Sequence, residues 1–227
     1  MVFGGLGANI FNPAMAGRAF LMASFGVLMT TWTVPATIDS TMPQIKTTAV
    51  YTDIRTQATP LALSKEAVKK GEGAETVNKQ MRALFFGNVG GCIGETSALA
   101  LLIGGIYLLI RRTINIHIPL AVLLSAFVFA LLAYIIDPQA NINPAAHLLS
   151  GGLLIGAFFI ATDPVTAPLS IKGMWIFGIG VGTITMLIRI VGEYPEGVMF
   201  SILLMNAVTP LIDRLCKLTP AGGKPNV

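Results

Sequence analysis

Ile118-Pro119-Leu120-Ala121-Val122-Leu123-Leu124-Ser125-Ala126-Phe127-Val128-Phe129-Ala130-Leu131-Leu132-Ala133-Tyr134-Ile135-Ile136 is an apolar run without one charged side chain. At about 1.5 Å per residue such a run makes a helix of about 28 Å, close to the roughly 30 Å of a bilayer's hydrocarbon core. Its apolar residues fall on every face, so it reads as a membrane span and not as one stripe on a soluble core. Similar runs lie at about Met15 to Val34, Ala98 to Ile110, Ala145 to Ala161, Met174 to Val191 and Val198 to Ile212. The expected fold is therefore an all-α polytopic membrane protein, a transmembrane helix bundle forming a single membrane domain over residues 1–227.

Composition agrees. Hydrophobic residues make up 54% of the chain, charged ones 11%, and the mean hydropathy is +0.74. A formal charge of +4 spread over connecting segments argues for membrane orientation; no nucleic-acid partner is expected. Cys92 and Cys216 form no CxxC pair, and His117 and His147 are far apart, so no metal site is expected. Arg111, Arg112, Lys172, Arg214, Lys217 and Lys224, together with Arg18, fall on one side by counting spans, and Arg189 on the other. The positive-inside rule puts the first group in the cytoplasm and the long polar excursion at residues 35–83 outside.

Three segments break the apolar pattern. Phe3-Gly4-Gly5-Leu6-Gly7 leads to Asn12-Pro13-Ala14, Leu84 to Ser97 is interrupted by glycines with Glu95 at its edge, and Asn143-Pro144-Ala145 opens a run ending at Thr162-Asp163-Pro164. Broken backbone at membrane depth survives only where protein or a cavity satisfies its polar groups. Asn143-Pro144-Ala145 repeats the Asn12-Pro13-Ala14 triplet, and Gly151-Gly152-Leu153 leading to Thr162-Asp163-Pro164 echoes Gly4-Gly5-Leu6 leading to Asn12-Pro13. These two Pro-interrupted segments suggest an internal, inverted repeat with a site between them. Glu95, Asp137, Asp163 and Glu193 are candidate ion ligands, each equally readable as a helix cap or an interfacial charge. Within the polar excursion, Ser64 to Lys70 reads as a short solvated helix capped by Ser64 and ended by Gly71.

Also in the excursion lies Asp53-Ile54-Arg55-Thr56-Gln57-Ala58-Thr59-Pro60-Leu61. Its hydroxyls at Thr56 and Thr59 are both chemically able to accept a phosphodiester, and Pro60 biases Thr59 toward extended backbone. Together with Phe3-Gly4-Gly5-Leu6-Gly7, Phe11-Asn12-Pro13-Ala14, Met29-Thr30-Thr31-Trp32, Gly94-Glu95-Thr96-Ser97 and Thr162-Asp163-Pro164-Val165, this stretch carries a family resemblance. The chain resembles the D subunits of the Rnf complex, the ion-pumping ferredoxin:NAD+ oxidoreductase, and is similar to the B subunits of the Na+-translocating NADH:quinone reductase. The resemblance implies FMN joined through its phosphate to Thr59, with Asp53, Thr56 and Ala58 completing the attachment motif. Gln57 stands where the family usually has Gly. A second, non-covalent flavin (riboflavin) between the broken segments is a further implication. No catalytic residue is implied, since the flavin carries the chemistry. The implied role is electron relay within a redox-driven translocase of the bacterial or archaeal cytoplasmic (inner) membrane, with the G, A and E subunits of the complex and membrane lipid as partners. Further amino-terminal helices of the family are expected to precede Phe3. The family's bundle also looks like that of urea-type channels, which leaves a flavin-free solute channel as the alternative.

Overall fold

The computed structural model describes residues 9–26, 28, 29, 31–34, 55–59, 61, 81–87, 91, 92, 94–138, 141–192, 194 and 196–217. In chain order these form α1 (Pro13–Ser24), β1 (Thr31–Val34), β2 (Arg55–Ala58), α2 (Met81–Phe86), α3 (Ala98–Ile110), α4 (His117–Ile136), α5 (Pro144–Leu149), α6 (Leu153–Ile155) running into a π-helical turn (Gly156–Ile160), α7 (Ile171–Ile190) and α8 (Val198–Leu215). The helical membrane fold expected from the sequence is present. α4, α7 and α8 are each long and apolar enough to cross a bilayer. The Phe3 to Gly7 patch, Asp53, the Ser64 to Lys70 helix, Glu193 and Lys224 lie outside the described residues.

α4 starts easily because Pro119 sits in its first turn, where no intrahelical N–H is required. Its outer side, including Leu124, Val128, Leu132 and Ile135, is exposed, while Ala121, Val122, Ala126 and Ala130 are buried. α7 meets that buried face with glycines. A Cβ on Gly178 would come 2.6 Å from the Ala121 Cβ and 3.0 Å from the Ile118 carbonyl, and one on Gly182 would strike Ser125 and the Val122 carbonyl. Small residues one turn apart let two membrane helices touch backbone to backbone, where dispersion and weak hydrogen bonds replace a hydrophobic drive. The two helices run parallel, since the His117 and Trp175 rings at their starts lie 6.3 Å apart. α8 returns antiparallel to α7, joined to it by a buried hydroxyl contact of 2.7 Å between Thr185 and Ser201. Gly182→Val is expected to cost about 1–3 kcal/mol, the range for overpacking a filled core. A lowered Tm of the purified protein in detergent checks this.

Two sequence expectations change. Hydropathy extends the first span from Met15 to Val34, but α1 ends at Ser24 and Thr31–Val34 is a strand. A helix of 12 residues is too short to cross, since it reaches only about 18 Å. The apolar run continues past Ser24, which gives it the look of one span. Its later part, Thr30-Thr31-Trp32-Thr33-Val34, is β-branched and aromatic, and such residues favour strand over helix. β1 pairs antiparallel with β2, placing Thr31 opposite Ala58, Trp32 opposite Gln57, Thr33 opposite Thr56 and Val34 opposite Arg55. The second change concerns Arg18, which does not mark the basic end of the bundle. Its guanidinium meets Glu196 at 2.6 Å, at the opposite end of α8 from Arg214.

The two Asn-Pro-Ala triplets form the same local structure. The Asn12 side-chain oxygen accepts from the Ala14 and Met15 N–H groups at 3.0 and 3.2 Å. The Asn143 oxygen accepts from the Ala145 N–H at 2.9 Å. In both, asparagine caps the helix and proline fills its first position, a pairing that satisfies a donor and needs none.

Candidate functional site

Thr59 is half-buried and follows β2 directly. Just beyond it Leu61, 4% exposed, is seated in a cluster with Leu84, Ile142 and Ala146. The chain around Thr59 is thus held twice: by the ladder to β1 before it, and by an apolar anchor after it. Thr56 and Ala58, which the sequence groups with Thr59, belong to that ladder.

Beneath Leu61 lies a set of buried and half-buried charges drawn from distant parts of the chain. Gly151, with φ +65°, presents the place of its missing Cβ 2.8 Å from a Leu61 methyl carbon and 3.0 Å from the Arg189 Nη2. A positive φ with such close neighbours admits only glycine at low cost. Arg189 is 3% exposed. Its two terminal nitrogens donate to the His147 carbonyl at 2.6 Å and the Ser150 carbonyl at 3.1 Å. These carbonyls lie where α5 ends short of α6, so the guanidinium fork replaces the helix hydrogen bonds missing at the break. Next to it, the Gly152 N–H donates to Glu196 Oε1 at 2.7 Å. The other oxygen of Glu196 takes the Arg18 pair. Glu95 enters from the turn before α3. Its Oε1 accepts from the Cys92 N–H at 3.2 Å, and its Oε2 is buried with no hydrogen-bond partner among the described residues. A Cβ on Gly152 would collide with Glu196 Oε1 and stand 3.5 Å from Glu95 Oε2, so both carboxyl groups face the same glycine.

Glu95 and Cys92 lie between α2 and α3, outside the membrane-length helices. Burial first, then the facing Glu196 carboxylate, push the Glu95 carboxyl up to about 7. Burial likewise raises the Cys92 thiol to about 12, with Glu95 adding to it, so it stays a thiol. Glu95 is already a candidate ion ligand in the sequence; nothing there joins Glu196, Arg18 or Arg189 to it. Of the other candidates, Asp163 serves its own turn, accepting from Thr166 Oγ1 at 3.0 Å and the Val165 N–H at 3.4 Å. Asp137 terminates α4.

At the other end of the bundle is a cavity of about 420 Å³, lined by Asn12, Pro13, Thr162, Asp163, Pro164 and the Phe158–Phe159 pair, among others. The two proline breaks noted in the sequence therefore do meet around one space. The π-helical turn supplies the two phenylalanines; such turns insert one extra residue and are frequent at functional sites. The size falls within the range of small-molecule pockets.

These features define a helical membrane protein with broken segments, an ordered polar strand pair at one end and an aromatic-walled cavity at the other. Residues 1–222 match the NQR2, RnfD, RnfE family, and the chain belongs to it. It is 42% identical over 241 residues to the D subunit of the ion-translocating oxidoreductase complex of Stutzerimonas stutzeri, an alignment covering 100% of this chain and 68% of the relative. It is 45% identical over 221 residues to the D subunit of the proton-translocating ferredoxin:NAD(+) oxidoreductase complex of Clostridium ljungdahlii, covering 93% of this chain and 61% of the relative. The Na(+)-translocating counterpart of Acetobacterium woodii is 47% identical over 218 residues, covering 95% and 60%. The chain thus spans about three fifths to two thirds of the length of these relatives.

Proposed function

We propose that this chain is the membrane electron-carrier subunit of an ion-pumping ferredoxin:NAD+ oxidoreductase, with FMN covalently bound through its phosphate to Thr59. The observation that carries this reading is the double anchoring of Thr59 between the β1–β2 ladder and the buried Leu61. A decorative loop on a solute channel has no need of a threonine fixed in this way. A tethered cofactor does, because its position relative to electron donor and acceptor is then set by the protein. FMN supplies electron transfer when bound. The chain's own part is to hold the attachment point: Thr59 gives the hydroxyl, and the ladder and Leu61 keep the tether short.

The cavity at the far end suits the second, non-covalent flavin, with the aromatic Phe158 and Phe159 and the polar Asn12 and Thr162 in its lining. Flavins at both ends of the bundle would let electrons enter on one face and leave on the other. The chain would work with the G subunit as a flavoprotein partner and the A and E subunits in the membrane. The coupled ion is no constant of the family, since one relative's name specifies a proton and another's Na+.

For orientation in the cytoplasmic membrane, Arg111, Arg112, Lys172, Arg214 and Lys217 lie at helix ends opposite the Thr59 end. By the positive-inside rule Thr59 then lies on the outer face. A Gly73→Cys protein in intact cells should react with a membrane-impermeant maleimide; reaction only after the cells are broken would reverse the orientation. Ultraviolet fluorescence of the denatured band on a gel tests the flavin itself. A fluorescent band is expected, and a dark band from flavin-replete cells making the transferase would favour the channel reading.

A further inference from the structure

The charges under Leu61, with Arg189 and Glu95 buried and Arg18 and Glu196 half-buried, balance to zero when all are ionised: Arg18 and Arg189 against Glu95 and Glu196. Balance alone does not satisfy them. Glu95, 7% exposed, has one oxygen with no donor among the described residues. Arg189 Nε and the hydroxyl of Ser150, 0% exposed, are buried and likewise without hydrogen-bond partners there. An ionised carboxylate oxygen with no donor is costly in a low-dielectric interior. The cost rises when a second carboxylate faces it, since two such groups at one place do not both ionise readily. Glu95 and Glu196 are in that position, both beside the place of the missing side chain of Gly152. Glu196 has firm claims on its negative charge: the Arg18 guanidinium at 2.6 Å and the Gly152 N–H at 2.7 Å. Glu95 has one N–H at 3.2 Å, from Cys92.

We propose that buried Glu95 and half-buried Glu196 together form a proton-binding site, in which one exchangeable proton resides on Glu95 Oε2 toward Glu196. The proton turns the unpartnered oxygen into a donor and gives it an acceptor in the facing carboxylate. The ligand is a proton and not a metal ion. Arg18 from α1 and Arg189 from α7 already neutralise both carboxylates, so no net negative charge remains to strip a metal ion of its water. The groups facing Glu95 are Arg18, Arg189, Glu196 and, in its own turn, Cys92. Leu61 and Gly151 form the roof, and the tether of Thr59 begins at that roof. Deprotonation removes a hydrogen bond directly beneath it. The site is independent of the flavin reading, because nothing in it requires Thr59 to be modified.

Infrared titration of the purified native complex between about pH 5 and about pH 9 brackets an ordinary and a raised carboxyl. The difference between wild type and Glu95→Gln should contain one protonated-carboxyl stretch that disappears near neutral pH. Glu196→Gln should lower its midpoint by about one pH unit or more, because the facing charge is gone and Arg18 is released toward Glu95. The band should persist in Thr59→Ala, which separates this site from flavin attachment. The absence of any wild-type carboxyl band titrating above the ordinary range overturns the proposal, even if Glu95→Gln fails to fold. A band unchanged in Glu95→Gln, lost in Thr59→Ala, or displaced by sodium at constant pH overturns it too.

Discussion

With FMN on Thr59 as proposed, Thr59→Ala is expected to abolish the fluorescent flavin band and to stop electron flow from ferredoxin to NAD+, while the protein remains in the membrane at close to its normal level. The effect is all or none, because a phosphodiester needs a hydroxyl and neither Ala58 nor Pro60 has one. Thr56 does, and it lies in the ladder opposite Thr33. Thr59→Ser keeps the band, since the hydroxyl survives. The bundle tolerates the change because Leu61, not Thr59, carries the buried contact at this end. In-gel fluorescence and NADH formation by washed membranes measure the two effects. Loss of the protein in Thr59→Ala would show that the residue is structural instead.

Arg189→Met removes the fork that holds two helix-break carbonyls and takes away one of the cluster's positive charges. Met fills most of the volume but donates nothing. The His147 and Ser150 carbonyls lose their guanidinium donors, and Glu95 and Glu196 are left with Arg18 alone. Breaking a buried charged network in this way typically costs about 3–5 kcal/mol. For a chain of this size that lowers Tm by on the order of 10 °C. Arg189→Lys should restore little, because a single ammonium does not reproduce a planar fork reaching two carbonyls. Thermal unfolding in detergent compares the three proteins; a Met variant as stable as wild type would show that the carbonyls find other donors.

The span at His117–Ile136 is plain in the sequence because apolarity all round a helix is a local property. Ala98–Ile110 falls at its expected ends because Ser97 caps one and Arg111-Arg112 close the other. The run after Ser24 misleads because hydropathy does not distinguish a β-branched strand from a lipid-facing helix. Its partner strand comes only after the long polar excursion has begun, at Arg55–Ala58. The proline breaks at Asn12 and Thr162 are legible both as breaks and as neighbours around one cavity, since each needs a cavity or protein to satisfy it.

The charge cluster is not legible. Arg18 and Glu196 are separated by 178 positions and Arg189 and His147 by 42. Each of these charges, taken alone, resembles an ordinary helix-end residue. The available signal is Arg18 itself: a guanidinium in the middle of an apolar helix that begins at an Asn-Pro cap requires a partner. Counting it toward membrane orientation passes over that demand. Gly151-Gly152 carries a second hint, because a paired glycine before an apolar run allows other side chains to approach the backbone.

The proposed FMN bond at Thr59 is tested most directly by peptide mass spectrometry. The protein is produced with the flavin transferase, digested, and the peptide containing Arg55 to Leu61 is fragmented. A mass increase of one FMN less water, localised to Thr59, is expected. An adduct on Thr56, or an unmodified peptide from flavin-replete cells, would contradict it.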